Sequence, residues 1–155
     1  MPVRCASKAI ILRDGKVLLN RCRTAAGEIY YDLPGGGQEP YETMEETVVR
    51  EVTEETGYRV RVIRFLGLIE QIHDDPKLRE AWPDYTHRIN HLFLAELTRD
   101  EPEKPAQKDF EYEKSVWVPL AEADTLPFRP KSLSGRLSAL LEGRCGPWLG
   151  TERVP

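Results

Sequence analysis

The stretch that decides the reading runs from Gly36 to Tyr58, GGQEPYETMEETVVREVTEETGY. Its second part predicts a helix over Thr43 to Thr56. Thr43 with Glu46 three residues later makes a capping box, and Gly57 stands where a left-handed residue ends a helix. On a helix turning ~100° per residue, with Glu51 set at zero, Glu54 falls at about −60° and Glu55 at about +40°. Three carboxylates thus share one arc. Like charges at these spacings cost about 0.2–0.5 kcal/mol per pair, and a divalent cation would offset that directly. Val48, Val52 and Val49, at about 60°, 100° and 160°, form the apolar face. Thr53, Glu46 and Arg50 form the outer one, with Glu46 and Arg50 spaced for an i,i+4 ion pair. The glutamates then sit at the edge of the core, where a cleft can open. From spacing alone, a metal site and a solvated acidic face are both open readings.

Working outward, residues 3–12 and 17–23 are apolar-rich runs around Asp14-Gly15, which predicts a hairpin with a type I′ turn. A short strand is expected at Ile29 to Tyr31, and the Leu33-Pro34-Gly35-Gly36-Gly37 segment reads as a loop. Val60 to Ile72 predicts one or two strands, Ile89 to Leu97 another, and Ser115 to Val118 a short one. His73 to Thr86 and Thr98 to Lys108, polar and proline-broken, read as loops. Pro130 to Leu141 predicts a last helix with Leu133, Leu137, Leu140 and Leu141 on one face. The Gly/Pro-interrupted tail from Gly143 carries no clear pattern.

The chain has 155 residues, 40% hydrophobic and 31% charged, which predicts a single domain over residues 1–155 with a normal core. Acidic residues outnumber basic ones 26 to 22. That balance speaks against a nucleic-acid or anionic-membrane partner. The apolar run Ala9 to Leu12 is too short for a signal-peptide core, and no stretch approaches a membrane span. Cys5, Cys22 and Cys145 are odd in number and lack CxxC spacing, so they read as idle thiols of a cytoplasmic protein.

The spacing of Gly36, Glu42 and Arg50-Glu51-Val52-Thr53-Glu54-Glu55-Thr56-Gly57 resembles the Nudix box of the Nudix hydrolase (MutT-like) family, matching at every fixed polar and glycine position. Tyr58 stands at a normally aliphatic position, and Tyr41 replaces a frequent glycine. The resemblance covers about a seventh of the chain. It implies an α/β fold, a sandwich of helices around a mixed central sheet with the box as loop–helix–loop. It also implies Mg²⁺- or Mn²⁺-dependent hydrolysis of a phosphoanhydride in a nucleoside diphosphate linked to another group. Carried over by position, Glu51, Glu54 and Glu55 are metal ligands, with the Gly36 carbonyl as a further one. Glu51 is the candidate general base, Arg50 and Glu54 complete the catalytic set, and Glu42 and Arg50 are orienting residues. Divalent ions suit this chemistry because they neutralise the diphosphate and activate water.

Family members often add an acidic residue shortly before a tryptophan. In the extended segment Asp109 to Trp117, Asp109, Glu111 and Glu113 share one side, and the resemblance favours Glu111 as a metal ligand with Glu113 next. Arg21, Arg23, Gly35 and Gly36 are the candidate substrate contacts; Arg21 and Arg23 share a strand face, a pattern that is more often the solvent side of a strand. Tyr30, Tyr31, Trp82 and Tyr85 suit base stacking or packing. His73, His87 and His91 lack metal spacing. The partner is a small-molecule nucleotide, and the resemblance allows a homodimer. Substrate choice is expected in loops 72–87 and 98–110. A catalytically silent nucleotide sensor on the same fold is the alternative function, against which the intact acidic positions weigh.

Overall fold

The computed structural model describes residues 3–106 and 110–155. Asp14 and Gly15 both take positive φ, 52° and 73°, as a type I′ turn requires. They join β1 (Arg4–Arg13) to β2 (Lys16–Arg23). β3 (Ile29–Asp32), β4 (Gly35–Gly37) and α1 (Met44–Thr56) follow, then β5 (Val60–His73), α2 (Pro76–Ala81) and β6 (His87–Leu97). The chain continues through β7 (Tyr112–Pro119), α3 (Leu120–Ala123), α4 (Leu137–Leu141) and β8 (Trp148–Val154).

The sheet is mixed, with strand order β3-β2-β1-β6-β5-β8; β4 adds to β1 and β7 to β2. β1 runs parallel to β6 and β5 parallel to β8, while the remaining pairs are antiparallel. Alternation along the strands supplies two cores. Ala9, Ile11 and Leu18 pack with Val48 and Val52 of α1 on one face. Ile10, Val17, Leu19, Ile69 and Leu92 pack with Phe128, Leu133, Leu137 and Leu140 on the other. Helices on both faces of a mixed sheet are the expected sandwich.

One face organises the site. Along β1 its residues run Ile10, Lys8, Ala6, Arg4; along β6, Leu92, Asn90, Arg88; along β5, Ile69, Gln71, His73. Each strand is apolar where it lies under the C-terminal helices and polar toward its other end. That polar end floors a cleft of about 620 Å³.

Several elements differ from expectation. Gly35–Gly37 is a strand, paired with Ala6 to Lys8 of β1, because glycine has no side chain to clash where backbones meet closely. A Cβ on Gly35 would lie 2.7 Å from Lys8 Cα. The 73–86 segment is not all loop: Asp75 caps α2, and a 3₁₀ turn follows at Pro83–Tyr85. The last predicted helix is broken by Gly135 at φ 74°, and α4 starts where Asp124 accepts from the Leu137 and Ser138 amides. The tail is strand β8, its pairing supplied by β5. Val49, placed on the apolar face by periodicity, is exposed, since only Val48 and Val52 of the three point into the core.

Candidate active site

The helix that carries the glutamates begins as the sequence predicts. Thr43 Oγ1 accepts from the Glu46 amide at 3.1 Å, and the Glu46 carboxylate accepts from the Thr43 amide at 2.8 Å. This closed box occupies Glu46, so the expected Glu46–Arg50 ion pair does not form. Arg50 turns inward instead. Its Nε and Nη2 donate to the two Glu42 oxygens at 2.7 and 3.0 Å, and Nη2 also donates to the Gly37 carbonyl at 3.0 Å. Nη1 donates to Glu51 at 2.8 Å and to Glu54 at 3.4 Å. The Arg50 hydrogen bonds hold the Glu42 carboxyl down at about 2. Arg50 is therefore a hub that holds three carboxylates and the glycine strand together.

The three glutamates leave one helix arc toward different partners. Glu51 lines the cleft and lies flat against Gly36: a Cβ there would sit 2.6 Å from the carboxylate carbon. Glu54 is partly exposed beside Arg50. Glu55 is buried at 4% exposure and accepts from Asn20 Nδ2 at 2.9 Å and the Gly35 amide at 3.1 Å. Among the described residues no three acidic, histidine or cysteine side chains already converge as a metal cage. The charge balance still suits a divalent cation: one guanidinium faces the three carboxylates of Glu42, Glu51 and Glu54, leaving two negative charges in an oxygen-rich setting.

Gly35, Gly36 and Gly37 edge the cleft beside Glu51. Glu111 also lines it, accepting from the Tyr30 hydroxyl with Arg129 at 3.7 Å; Arg129 stacks on the Tyr30 ring at 4.1 Å. Tyr85 and His73 line it from the 72–87 segment, and burial beside Arg88 pushes the His73 imidazole below its ordinary value. Asp109, the third member of the acidic stripe, lies outside the described residues. Arg21 and Arg23 both pair with Glu113, and none of the three is among the residues lining the cleft. Residues 98–106 pack near the end of α1, where Ala106 donates to the Glu54 carbonyl and Glu103 to that of Gly57. Tyr31 packs on Phe128, and Tyr58 meets Trp117 edge-on while accepting its indole N–H at 3.1 Å, so the Tyr58 departure serves packing. Tyr41 takes φ 69° fully exposed, the backbone shape that makes glycine frequent there. Cys22 is buried and its thiol is pushed up to about 12, consistent with an idle cysteine.

Sequence reading missed every lysine and arginine that lines the cleft. Arg4, Lys8, Arg88, Arg129 and Lys131 all line it. Lys8 is nearly buried, yet Asp32 and Glu55 outweigh the burial and raise its pKa; it donates to Asp32 at 2.9 Å and to the Gly35 carbonyl at 3.1 Å. The available signal was a polar residue at every second position where an apolar strand face ends, as at Arg88 and Asn90 before Leu92.

Glu51 of α1 thus stands in the wall of a cleft lined by five cations and by the carboxylates of Asp32, Glu111 and Glu152, on a helix-flanked mixed sheet. The family model described as NUDIX domain matches residues 3–137, and the chain belongs to this family of hydrolases. An ADP-ribose pyrophosphatase from Methanocaldococcus jannaschii is 40% identical over 72 residues, 46% of this chain and 43% of that protein. The match thus spans less than half of that relative. Among solved structures, a MutT NUDIX hydrolase from Burkholderia pseudomallei is 29% identical with a TM-score of 0.56, over 78% of this chain and 86% of that one. A NUDIX hydrolase from Nitrosomonas europaea shares the fold at a TM-score of 0.62 and 21% identity, over 91% of this chain and 85% of that one.

Proposed function

We propose that this chain hydrolyses a phosphoanhydride bond in a nucleoside diphosphate linked to another group, with Mg²⁺ or Mn²⁺ as the metal. The observation that carries the reading is Glu51: a carboxylate fixed by Arg50, seated on a side-chain-free strand, in the wall of a cleft whose other walls are rich in cations. A phosphate chain needs positive charge to be held and a base to activate water against it.

Glu51, Glu54 and Glu55 would hold the metal, with the Gly36 carbonyl and Glu111 as further ligands; bound there, the metal neutralises phosphate oxygens and lowers the pKa of water. Glu51 accepts the proton of the attacking water. Arg50 keeps that carboxylate aimed across Gly36 and, through Glu42 and Gly37, ties it to the loop. Lys8, held by Asp32, fixes the glycine strand from below. Gly35 and Gly36 border the phosphate-binding end of the cleft. Arg21 and Arg23, committed to Glu113, support the β2–β7 pairing and leave phosphate contact to the cleft residues. The expected substrate is a small nucleotide. The name of the archaeal relative brings ADP-ribose forward as the first compound to try.

The test is product release across nucleoside triphosphates, nucleoside diphosphate sugars including ADP-ribose, dinucleoside polyphosphates and coenzymes, with Mg²⁺ and with Mn²⁺. One group is expected to be cleaved at a phosphoanhydride by the native chain and not by Glu51→Gln. Binding without turnover across the whole panel would favour the sensor.

A further inference from the structure

The cleft floor carries two side-chain donors that the protein leaves without a hydrogen-bond partner. Arg88 and Asn90 are two residues apart on β6 and face the same way, into the cleft. Arg88 Nη2 donates to the Gln71 side-chain oxygen at 2.8 Å, a neutral partner. Its Nε is buried with no hydrogen-bond partner, and it makes no ion pair among the described residues. Its register neighbour on β1 is another cation, Arg4. Asn90 is 2% exposed, and its Nδ2 also lacks a partner.

Lys8 makes the contrast. It sits on the same sheet face, nearly buried, but is satisfied by Asp32 and a backbone carbonyl. A buried donor left unpaired costs about 1–3 kcal/mol, more when charged. Burial lowers the Arg88 pKa, and the nearby Asp32 and Glu152 carboxylates offset that only in part, with Arg4 working against them. Such a cost is kept where a ligand removes it. A phosphate suits both donors, since it brings negative charge to the guanidinium and more than one acceptor oxygen for Arg88 Nε and Asn90 Nδ2.

We propose that Arg88, with Asn90 as its companion donor, anchors a phosphate of the substrate on the cleft floor, while the Gly36–Glu51 side performs the cleavage. This assignment rests on the hydrolase reading for its substrate class, but not on Glu51 being the base.

The experiment reads binding without turnover, in Mg²⁺ buffer, on a Glu51→Gln background. Melting temperatures are measured with ADP, inorganic pyrophosphate and adenosine, with and without Arg88→Gln. ADP and pyrophosphate are expected to raise the melting temperature of the parent. Arg88→Gln should weaken both about 10- to 100-fold, the range for losing a charge-assisted hydrogen bond. Adenosine should give no Arg88-dependent shift. Without ligand, Arg88→Gln should melt no lower than its parent, because a guanidinium with a buried, unsatisfied Nε is gone. Asn90→Ala should lose part of the ADP response and serves if Arg88→Gln fails to fold. The assignment is overturned if the parent responds to neither phosphate compound, if Arg88→Gln and Asn90→Ala bind both as the parent does, or if adenosine alone depends on Arg88. If the native chain cleaves nothing while ADP binding still needs Arg88, the hydrolase reading fails and the anchor stands.

Discussion

The two sides of the cleft are assembled on different length scales. On one side Glu51 lines the cleft, held through Arg50 together with Glu42 and Glu54 within a loop and a single helix, and these contacts span a few turns. On the other, Arg4, Gln71, Arg88 and Glu152 come from four strands spread over almost the whole chain. The acidic side is wired locally, and the mixed floor exists only once the sheet has formed. In the proposed division, damage on the first side strikes the chemical step, and damage on the second strikes binding.

The largest expected effect follows from Glu51→Gln, which keeps size and helix propensity but removes the proton acceptor. kcat should fall by ~10²–10⁴ with KM little changed. Glu46→Gln on the same helix preserves the capping box and should leave both constants near native. Steady-state kinetics on the cleaved substrate checks the pair, and equal activity in both would break the division.

Next comes Gly36→Ala. Its backbone takes an ordinary φ, so the strain is confined to the new Cβ, which would sit 2.6 Å from the Glu51 carboxylate. Displacing that group should cost on the order of 10²-fold in kcat. Gly37→Ala meets only the end of the Arg4 side chain, which can move, and should cost far less. The ratio of the two activities is the readout.

Glu111→Gln sharpens the boundary between the sides, since Glu111 lines the cleft yet lies far from α1 in sequence. The Mg²⁺ concentration for half-maximal rate should rise by about 10-fold with the melting temperature held. Glu113→Gln should leave the metal titration unmoved, because Glu113 is committed to Arg21 and Arg23. An unaltered titration in Glu111→Gln would remove it from the metal site.

The smallest effect is a slope in acid. Glu42 is held at about 2, below its ordinary value of 4.5, chiefly by Arg50. A depressed carboxyl contributes stability that is fully present above pH ~4.5 and lost as pH falls toward ~2. Glu42→Gln should melt lower at neutral pH and lose less stability over that window, as pH-dependent melts would show.

Legibility followed the same division. The capping box, the Gly57 stop, the hairpin at Asp14-Gly15 and the arc of glutamates are local, and residue spacing encodes them. Where local rules failed, a distant partner had intervened. The three glycines became a strand only because β1 lies beside them. β8 owes its pairing to β5. Arg50 left the helix's outer face because Glu42 and Gly37 offered a better-satisfied position than Glu46, which its own cap had taken. Asn90 reads as an ordinary strand residue and Arg88 falls just before the expected strand, since the missing partner that marks them is visible only in three dimensions.

The central claim is that water attacks a phosphoanhydride in this cleft with the help of a divalent metal. Cleavage of the preferred nucleotide in ¹⁸O-labelled water, with Mg²⁺ and with chelator, tests it most directly. One labelled oxygen is expected in one phosphate product for each bond broken, with Mg²⁺ present and not with chelator. Unlabelled products, or equal cleavage under chelator, would contradict it.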